Sequence, residues 1–592
     1  MTLTALRLAN FKAFGASQRI PLRPITLIFG ANSAGKSSLI HALALAHHAV
    51  ETGELDTQRT QIGGEAIDLG GFRQYVHRRN RTQQVEMAFE IEPGRLTGRV
   101  AELLRSARGA VVEVAIGAGF GSEQKSLFGD VARELDREGG VRVERFAIEV
   151  DGAPLLSMSA RPGGVLRLDR LDHRHPVFRE VFRGIITLAT TTHDVREEDY
   201  VGLGEVLDAL VPGITARPRG LFPRIIHQSE APEALTSAAF LAVSRGRRQE
   251  DLALATRMFL PEALRDLVDG LATAVESEIR TLRYLGPLRS YPPRHLAFSQ
   301  HHDPNWFAGG GYAWDVVRTN GNIRSKVNAW LGDPSRLKTP YEIVVRELLP
   351  AAAVANELPP KIGEAFYHLL GTVLTIHTDD FNDLESVSQE IVERIRQNTQ
   401  EETDDRIVEL DELVSEGPDT DALAQQWSRE LVEARVESLQ DMVLIDKRTN
   451  TPVSHRDVGI GVSQVLPVLV SAYASEAKLL AIEQPEIHLH PALQAELGDV
   501  FIDSALGPCR NTCLIETHSE HLLLRIMRRI RETSEGKLPS GRHEIRPDDV
   551  MVVFVEPDGP QSIVREMPLN ERGELVKAWP GGFFEEGLRE IF

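Results

Sequence analysis

The chain has 592 residues, far more than one hydrophobic core requires, and so predicts roughly two to four domains. With 42% hydrophobic and 26% charged residues it has a globular composition, and no run reaches the ~20 apolar residues of a membrane span. Met1 to Asn10 lacks the basic start and apolar block of a secretory leader, and two cysteines, Cys509 and Cys513, are too few for a disulfide framework, so a reducing cytoplasm is expected.

The first element expected is a short strand within Thr2 to Phe14, with Leu6 and Leu8 on one face and Arg7 on the other, followed by Asn10-Phe11-Lys12. Ile25 to Phe29 is an apolar run of the buried-strand type. After a glycine-rich turn, Leu39, Ile40, Leu43 and Leu45 give Ser37 to His48 helical spacing. Val85 to Ile91 and Val111 to Ile116 read as strands, Pro261 to Leu282 as a helix, and Arg283 to Arg294 as a strand ending in a turn at Gly286-Pro287. Asp383 to Gln440 is helical in pattern and broken at Glu416-Gly417-Pro418-Asp419, a helical hairpin. Asp379 to Asp441 holds 20 of the 86 acidic residues against five arginines. The net charge of -20 is therefore concentrated there, and it neither supports nor excludes a nucleic-acid partner for the rest.

Beyond the hairpin the pattern alternates. Met442 to Ile445, Leu479 to Ile482, Thr512 to Ile515 and Met551 to Val555 read as strands. Val465 to Tyr473, Pro491 to Leu506 and Glu520 to Arg531 read as helices. Alternation of this kind predicts an α/β fold with a parallel sheet, split by a long insertion. The expected division is a first half over 1–95, a mixed insertion over 96–282, a return segment over 283–380, the acidic hairpin over 381–440 and a second half with its tail over 441–592.

Gly30-Ala31-Asn32-Ser33-Ala34-Gly35-Lys36-Ser37, with Ser38 after it, matches the phosphate-loop pattern G-x-x-x-x-G-K-[ST] between a strand and a helix. Glycines let successive N–H groups turn toward phosphate oxygens, and the helix adds its positive N-terminus. Lys36 supplies a point charge to the β- and γ-phosphates, and the Ser37 hydroxyl is a Mg²⁺ ligand. Leu479 to Glu486 is an apolar strand ending in two carboxylates. Glu483, expected beside the phosphate loop, is the second Mg²⁺ ligand; Glu486, beyond Pro485, is placed to orient and deprotonate a water. His488 and His490 are expected to shape a turn rather than bind metal. His518, after the next strand, is expected to reach the γ-phosphate as a donor. Asp457 to Gln464 is a small-residue loop opening a helix, suited to the phosphates of a second copy's nucleotide.

In this order the elements resemble the ABC/SMC-type ATPases, and among them the RecF-like and overcoming-lysogenization-defect (OLD) proteins of bacteria. The resemblance makes Gly30 to Ser37 the Walker A motif and Leu479 to Glu486 Walker B with its catalytic glutamate. It makes Asp457 to Gln464 the signature motif, through Gly461, Ser463 and Gln464, and His518 the switch histidine. Lys12 of Asn10-Phe11-Lys12 becomes a nucleotide-approaching base. It implies ATP and Mg²⁺ as cofactors, catalytic roles for Lys36, Glu486 and His518, and a homodimer or higher homo-oligomer closing on ATP. OLD proteins carry a C-terminal metal-binding nuclease domain with a D-x-D set; no D-x-D occurs after His518, so nuclease activity is not expected of this sequence. Trp579-Pro580-Gly581-Gly582-Phe583-Phe584 instead resembles the tail of a bacterial ATPase family found near anti-phage defence genes, which implies a separate effector protein. Basic clusters at His77 to Arg81, Arg245 to Arg248 and Arg528 to Arg531 permit the alternative, a RecF-like ATPase that binds DNA or RNA.

Overall fold

A computed structural model describes residues 2–119, 140–161, 163–189, 200, 203–228, 247–289, 305–333, 336, 339–348, 439–453 and 460–582. The chain divides into two compact units, one of residues 1–292, 301–342 and 446–592, the other of 293–300 and 343–445. Of the expected acidic hairpin, only Leu439 and Gln440 are described, and they open a strand. Strands β12 (Tyr341–Leu348) and β13 (Leu439–Asp446) are neighbours in a small sheet.

The first unit holds two large sheets. The nucleotide-type motifs sit on a six-stranded one, built from β3 (Ile25–Gly30), β11 (Leu282–Leu285), β15 (Leu479–Glu483), β16 (Thr512–Glu516), β17 (Val550–Asp558) and β18 (Gln561–Glu566). Its order is β11-β15-β16-β3-β17-β18, with the first five strands parallel and β18 antiparallel. β3, β15 and the last four residues of β16 are buried, as continuous Val/Ile/Leu-type runs require in a sheet covered on both faces. Five helices of this unit matter below: α1 (Lys36–Thr52), α3 (Arg247–Arg280), α4 (Ile460–Ala474), α5 (Pro491–Leu506) and α6 (Glu520–Ser534). The expected helix at Pro261 begins fourteen residues earlier. The proline does not start it because Leu252, Ala255, Leu260 and Leu264 keep one buried stripe running through the site.

The second sheet has nine strands in the order β10-β9-β8-β7-β6-β5-β4-β1-β2, its pairs antiparallel. It joins β1 (Leu3–Ala9), β2 (Gln18–Pro21) and β4 (Val85–Ile91) to β5 (Ala110–Ala118), β6 (Val141–Val150), β7 (Ala153–Ala160), β8 (Leu166–Leu171), β9 (Ile214–Arg219) and β10 (Phe222–Gln228). The expected boundary at 95/96 is therefore no structural break, because β4 pairs β5 along its whole length. Alternation explains the sheet. Val85, Met87, Phe89 and Ile91 are buried, as are Val112, Val114, Phe146 and Ile148, while Arg7, Glu86, Glu90, Glu113 and Arg145 pair among themselves. α2 (Pro176–Ala189) and α3 pack together within the same hydrophobic core.

Candidate active site

The phosphate-type loop joins β3 to α1 as the sequence requires. Gly30 has φ 148° and a Cβ there would stand 2.2 Å from the Val555 carbonyl oxygen; Gly35 has φ 93° and a Cβ would stand 2.6 Å from that of Ala13. Backbone of this shape excludes side chains at both positions. Ala31, Asn32 and Ser33 are exposed, Ser33 with φ 62°, while Ala34 and Ser38 are buried. Lys36 is buried and folds back on its own loop, its Nζ donating to the carbonyl oxygens of Gly30 (3.1 Å) and Ala31 (2.9 Å). Burial lowers its pKa, opposed by Glu516, Glu486 and Glu483. One lysine thus faces three carboxylates.

Strand order decides what those carboxylates touch. β16 lies between β15 and β3, with Glu483 opposite Glu516 and Glu516 opposite Ile28. Glu483 stands one strand away from β3, because β16 inserts between them, yet its carboxylate still interacts with the Ser37 hydroxyl; Glu516 joins it there from the intervening strand. The Ser37 hydroxyl donates to Glu516 Oε2 at 2.8 Å. Glu516 received no role from the sequence, although Cys513-Leu514-Ile515-Glu516 repeats the pattern of Leu480-Ala481-Ile482-Glu483, an apolar strand closed by a glutamate.

Glu483 is buried and accepts a hydrogen bond from the Tyr284 hydroxyl at 3.1 Å. Burial, then repulsion from Glu516, raises its pKa, and burial likewise raises that of Glu516. Two buried carboxylates facing each other call for a cation. With the Ser37 hydroxyl they form an all-oxygen donor set of the hard kind that suits Mg²⁺. Ser37, Glu483 and Glu516 are the residues that would hold it.

Lys12 reaches the same cluster. Phe11 and Phe14 are fully buried and pin the turn, where Asn10 (φ 54°) and Lys12 (φ 45°) are left-handed. The Lys12 Nζ lies 2.7 Å from His41 Nδ1, and His41 Nε2 lies 3.7 Å from Glu483 Oε1. An ammonium only donates, so Nδ1 accepts and the imidazole is neutral with its proton on Nε2, facing the glutamate. Burial and the neighbouring Lys12 push the His41 pKa down to about 3, in accord with that tautomer, and burial lowers Lys12 to about 8.

Glu486 sits one turn past β15, where Gln484 has φ 44°. Its carboxylate is held at both oxygens: Oε2 accepts from the Thr517 hydroxyl (2.9 Å) and Oε1 from the His518 N–H (2.6 Å). Burial raises its pKa against these hydrogen bonds, which makes it a stronger base than a solvated glutamate. His518 is partly exposed, and burial with Lys36 nearby lowers its pKa, leaving a neutral ring at neutral pH. His490 has a local role, its Nδ1 accepting from the Ala492 N–H to cap α5 ahead of Pro491.

Of the small-residue loop, Asp457 to Gly459 lie outside the described residues, as do Arg245 and Gly246 at the start of one basic cluster. Gly461 is partly exposed, whereas Ser463 and Gln464 are buried. The Gln464 side chain donates to the Arg289 carbonyl at 3.4 Å, so Gln464 serves packing within this chain. Within the Arg528 to Arg531 cluster, Arg528 and Arg531 are exposed. Arg529 is buried against Asp499 and both it and Arg528 bond Glu532.

Two family models match, each over part of the chain. One is an AAA domain over residues 5–125; the other, described as AAA domain, putative AbiEii toxin, Type IV TA system, covers residues 366–525. The first contains Lys12 and Lys36, the second Gly461, Glu483, Glu486, Glu516 and His518. The likeness is therefore to AAA-type ATPases on both stretches that build the site. No curated protein matches. Among solved structures, an Smc head bound to the C-winged helix domain of ScpA aligns over 96% of this chain and 99% of its own, at 9% identity and TM-score 0.32. A Pyrococcus furiosus Smc head with an extended coiled coil bound to the C-terminal domain of ScpA aligns over 100% and 98%, at 10% and 0.30. A Pyrococcus yayanosii Smc head with a coiled coil and joint aligns over 96% and 98%, at 11% and 0.28. Among the described residues no helix is long and apolar enough to cross a membrane.

Proposed function

We propose that the chain is an ATP-hydrolysing switch of the ABC/SMC type. The observation that carries this reading is the buried Glu486 carboxylate, gripped at both oxygens and standing with Glu483 and Glu516 around Lys36. The phosphate loop and Lys36 would take the triphosphate, and Lys12 would approach it from the side. Mg²⁺ held by Ser37, Glu483 and Glu516 would offset phosphate charge. Glu486 would accept the proton of the attacking water, and the neutral His518 would donate to the γ-phosphate. Preorganised charge of this kind lowers the barrier without reorganisation at the moment of reaction.

Two copies would close head to tail over two nucleotides, with Gly461 and the residues before it completing the partner's site, and hydrolysis would reopen them. The output would pass to a separate effector protein in a bacterial anti-phage system. The description of the matched AAA model, a putative toxin of a Type IV TA system, is in keeping with that setting.

The test is steady-state ATP turnover, with solution mass measured with and without ATP. Glu486→Gln is expected to lower turnover by at least ~10²-fold while retaining bound ATP and a doubled mass. Equal turnover by the two proteins would refute the role of Glu486.

A further inference from the structure

The motif residues do not account for a buried arginine at the centre of the site. Arg289 lies four residues past the end of β11, at the end of Tyr284-Leu285-Gly286-Pro287-Leu288-Arg289, and is only 5% exposed. Its guanidinium spans two elements that lie 175 and 194 residues further along the chain. Nη2 donates to the carbonyl oxygens of Glu483 and Gln484, both at 3.2 Å, and Nη1 donates to that of Gln464 in α4, at 3.0 Å. Gln464 returns a hydrogen bond from its side chain to the Arg289 carbonyl. The contact is thus reciprocal on the α4 side and two-pronged on the turn side. Among the described residues its Nε is buried without a partner. Despite burial, which lowers its pKa to about 10, the group keeps its charge at neutral pH, and the charge supporting it is that of Glu486.

A buried charge with an unsatisfied N–H is costly, and packing alone would be served as well by a methionine or leucine. What an apolar residue cannot do is fix carbonyls on two separate elements in one plane. The planar fork of arginine suits that task; lysine offers a single pivoting head. The turn it grips is the one that carries Glu486, with Gln484 already held at φ 44°. The helix it grips carries Gly461 in its first turn, the part of the chain offered to a second copy in the reading above.

We infer that Arg289 is a positioning residue that couples α4 to the turn bearing Glu486, so that the placement of the signature-type helix sets the placement of the catalytic carboxylate. This rests on the ATPase reading of the site. Among the described residues the hydrogen bonds of Arg289 go to Gln464, Glu483 and Gln484, none of them in the phosphate loop. Loss of the clamp should therefore leave nucleotide affinity in place and lower the chemical step, since a displacement near 1 Å at a reacting group costs up to ~10²-fold in rate.

The experiment uses the full chain and compares wild type, Arg289→Met, Arg289→Lys and Glu486→Gln for ATP affinity, KM, kcat and thermal unfolding. The expected result is a kcat reduced ~10²-fold in Arg289→Met and roughly 10-fold in Arg289→Lys, with KM and ATP affinity within about twofold of wild type. A wild-type kcat in Arg289→Met overturns the inference. So does a parallel loss of affinity and kcat, or failure of both variants to fold, because the arginine is then a packing residue only. Glu486→Gln separates the two levels of argument. If wild type shows no Glu486-dependent turnover, the ATPase reading fails and takes the inference with it. If that turnover is present and the Arg289 variants match wild type, only the inference fails.

Discussion

The two large sheets of the first unit pair their strands differently, and the difference decides what their charged residues do. In the six-stranded sheet, parallel strands point their C-terminal ends the same way, so Gly30, Glu483 and Glu516 arrive at one edge together. In the nine-stranded sheet neighbours run antiparallel, chain ends alternate between edges, and charged residues meet across strands as ion pairs such as Arg7–Glu90 (2.7 Å) and Arg19–Glu90 (2.9 Å). Pairs this exposed contribute ~0–1 kcal/mol each and hold no substrate. The comparison teaches that chemistry here follows strand direction: carboxylates gathered by parallel strands become buried and cation-seeking, whereas those spread over antiparallel strands are neutralised locally.

Substitutions can break this division. The largest effect on stability is expected in the nine-stranded sheet. Phe89 is fully buried and packs its ring 6.1 Å from Phe222. Phe89→Ala should cost ~3–5 kcal/mol in denaturant titration, yet leave ATP affinity of the folded fraction unchanged. A large loss of affinity in the folded fraction would mean that the wing takes part in the site.

A somewhat smaller and pH-dependent effect is expected behind the parallel sheet. Asp499 of α5 is 1% exposed and bonds Arg529 (2.7 and 2.8 Å) and Arg525 (2.6 Å) of α6, with Arg542 close by. The hydrogen bond from Arg529 and the charges of Arg542, Arg529 and Arg525 outweigh burial and hold its carboxyl below the usual range. A depressed carboxylate stabilises the fold above its unfolded pKa, near 3.8, and that contribution is lost as pH falls through the lower folded value. Asp499→Asn should therefore cost ~3 kcal/mol at pH 7, and the gap between variant and wild type should close below about pH 4. A gap that stays constant with pH would show that the aspartate acts through packing rather than charge.

How much of this was legible in the sequence depends on the range of the interaction concerned. The phosphate loop is a local device: its glycines, lysine and serine are adjacent, and their spacing alone predicts strand, turn and helix. Glu486 was legible for the same reason, being fixed by a proline turn at the end of an apolar run. Glu516 was not, because its role depends on β16 inserting between β15 and β3, and nothing within one strand records its neighbours. Tyr284 and Arg289 carry no legible site role in the sequence, since their partners on β15 and its turn lie almost 200 residues away. The nine-stranded sheet is not legible as one unit because its strands straddle the place where the sequence predicts a domain boundary. Arg529 looked like part of a basic surface because a sequence does not show that Asp499 lies beneath it.

Stretches some 480 residues apart meet where the Ser37 hydroxyl donates to Glu516, and in the proposed function both face one nucleotide. The most direct measurement is a double-mutant cycle on Mg²⁺-dependent ATP affinity with Ser37→Ala, Glu516→Gln and their combination. The hydroxyl and carboxylate are 2.8 Å apart, so the two changes should couple by at least ~1 kcal/mol. Effects that add within ~0.3–0.5 kcal/mol would place them in separate sites and contradict the account.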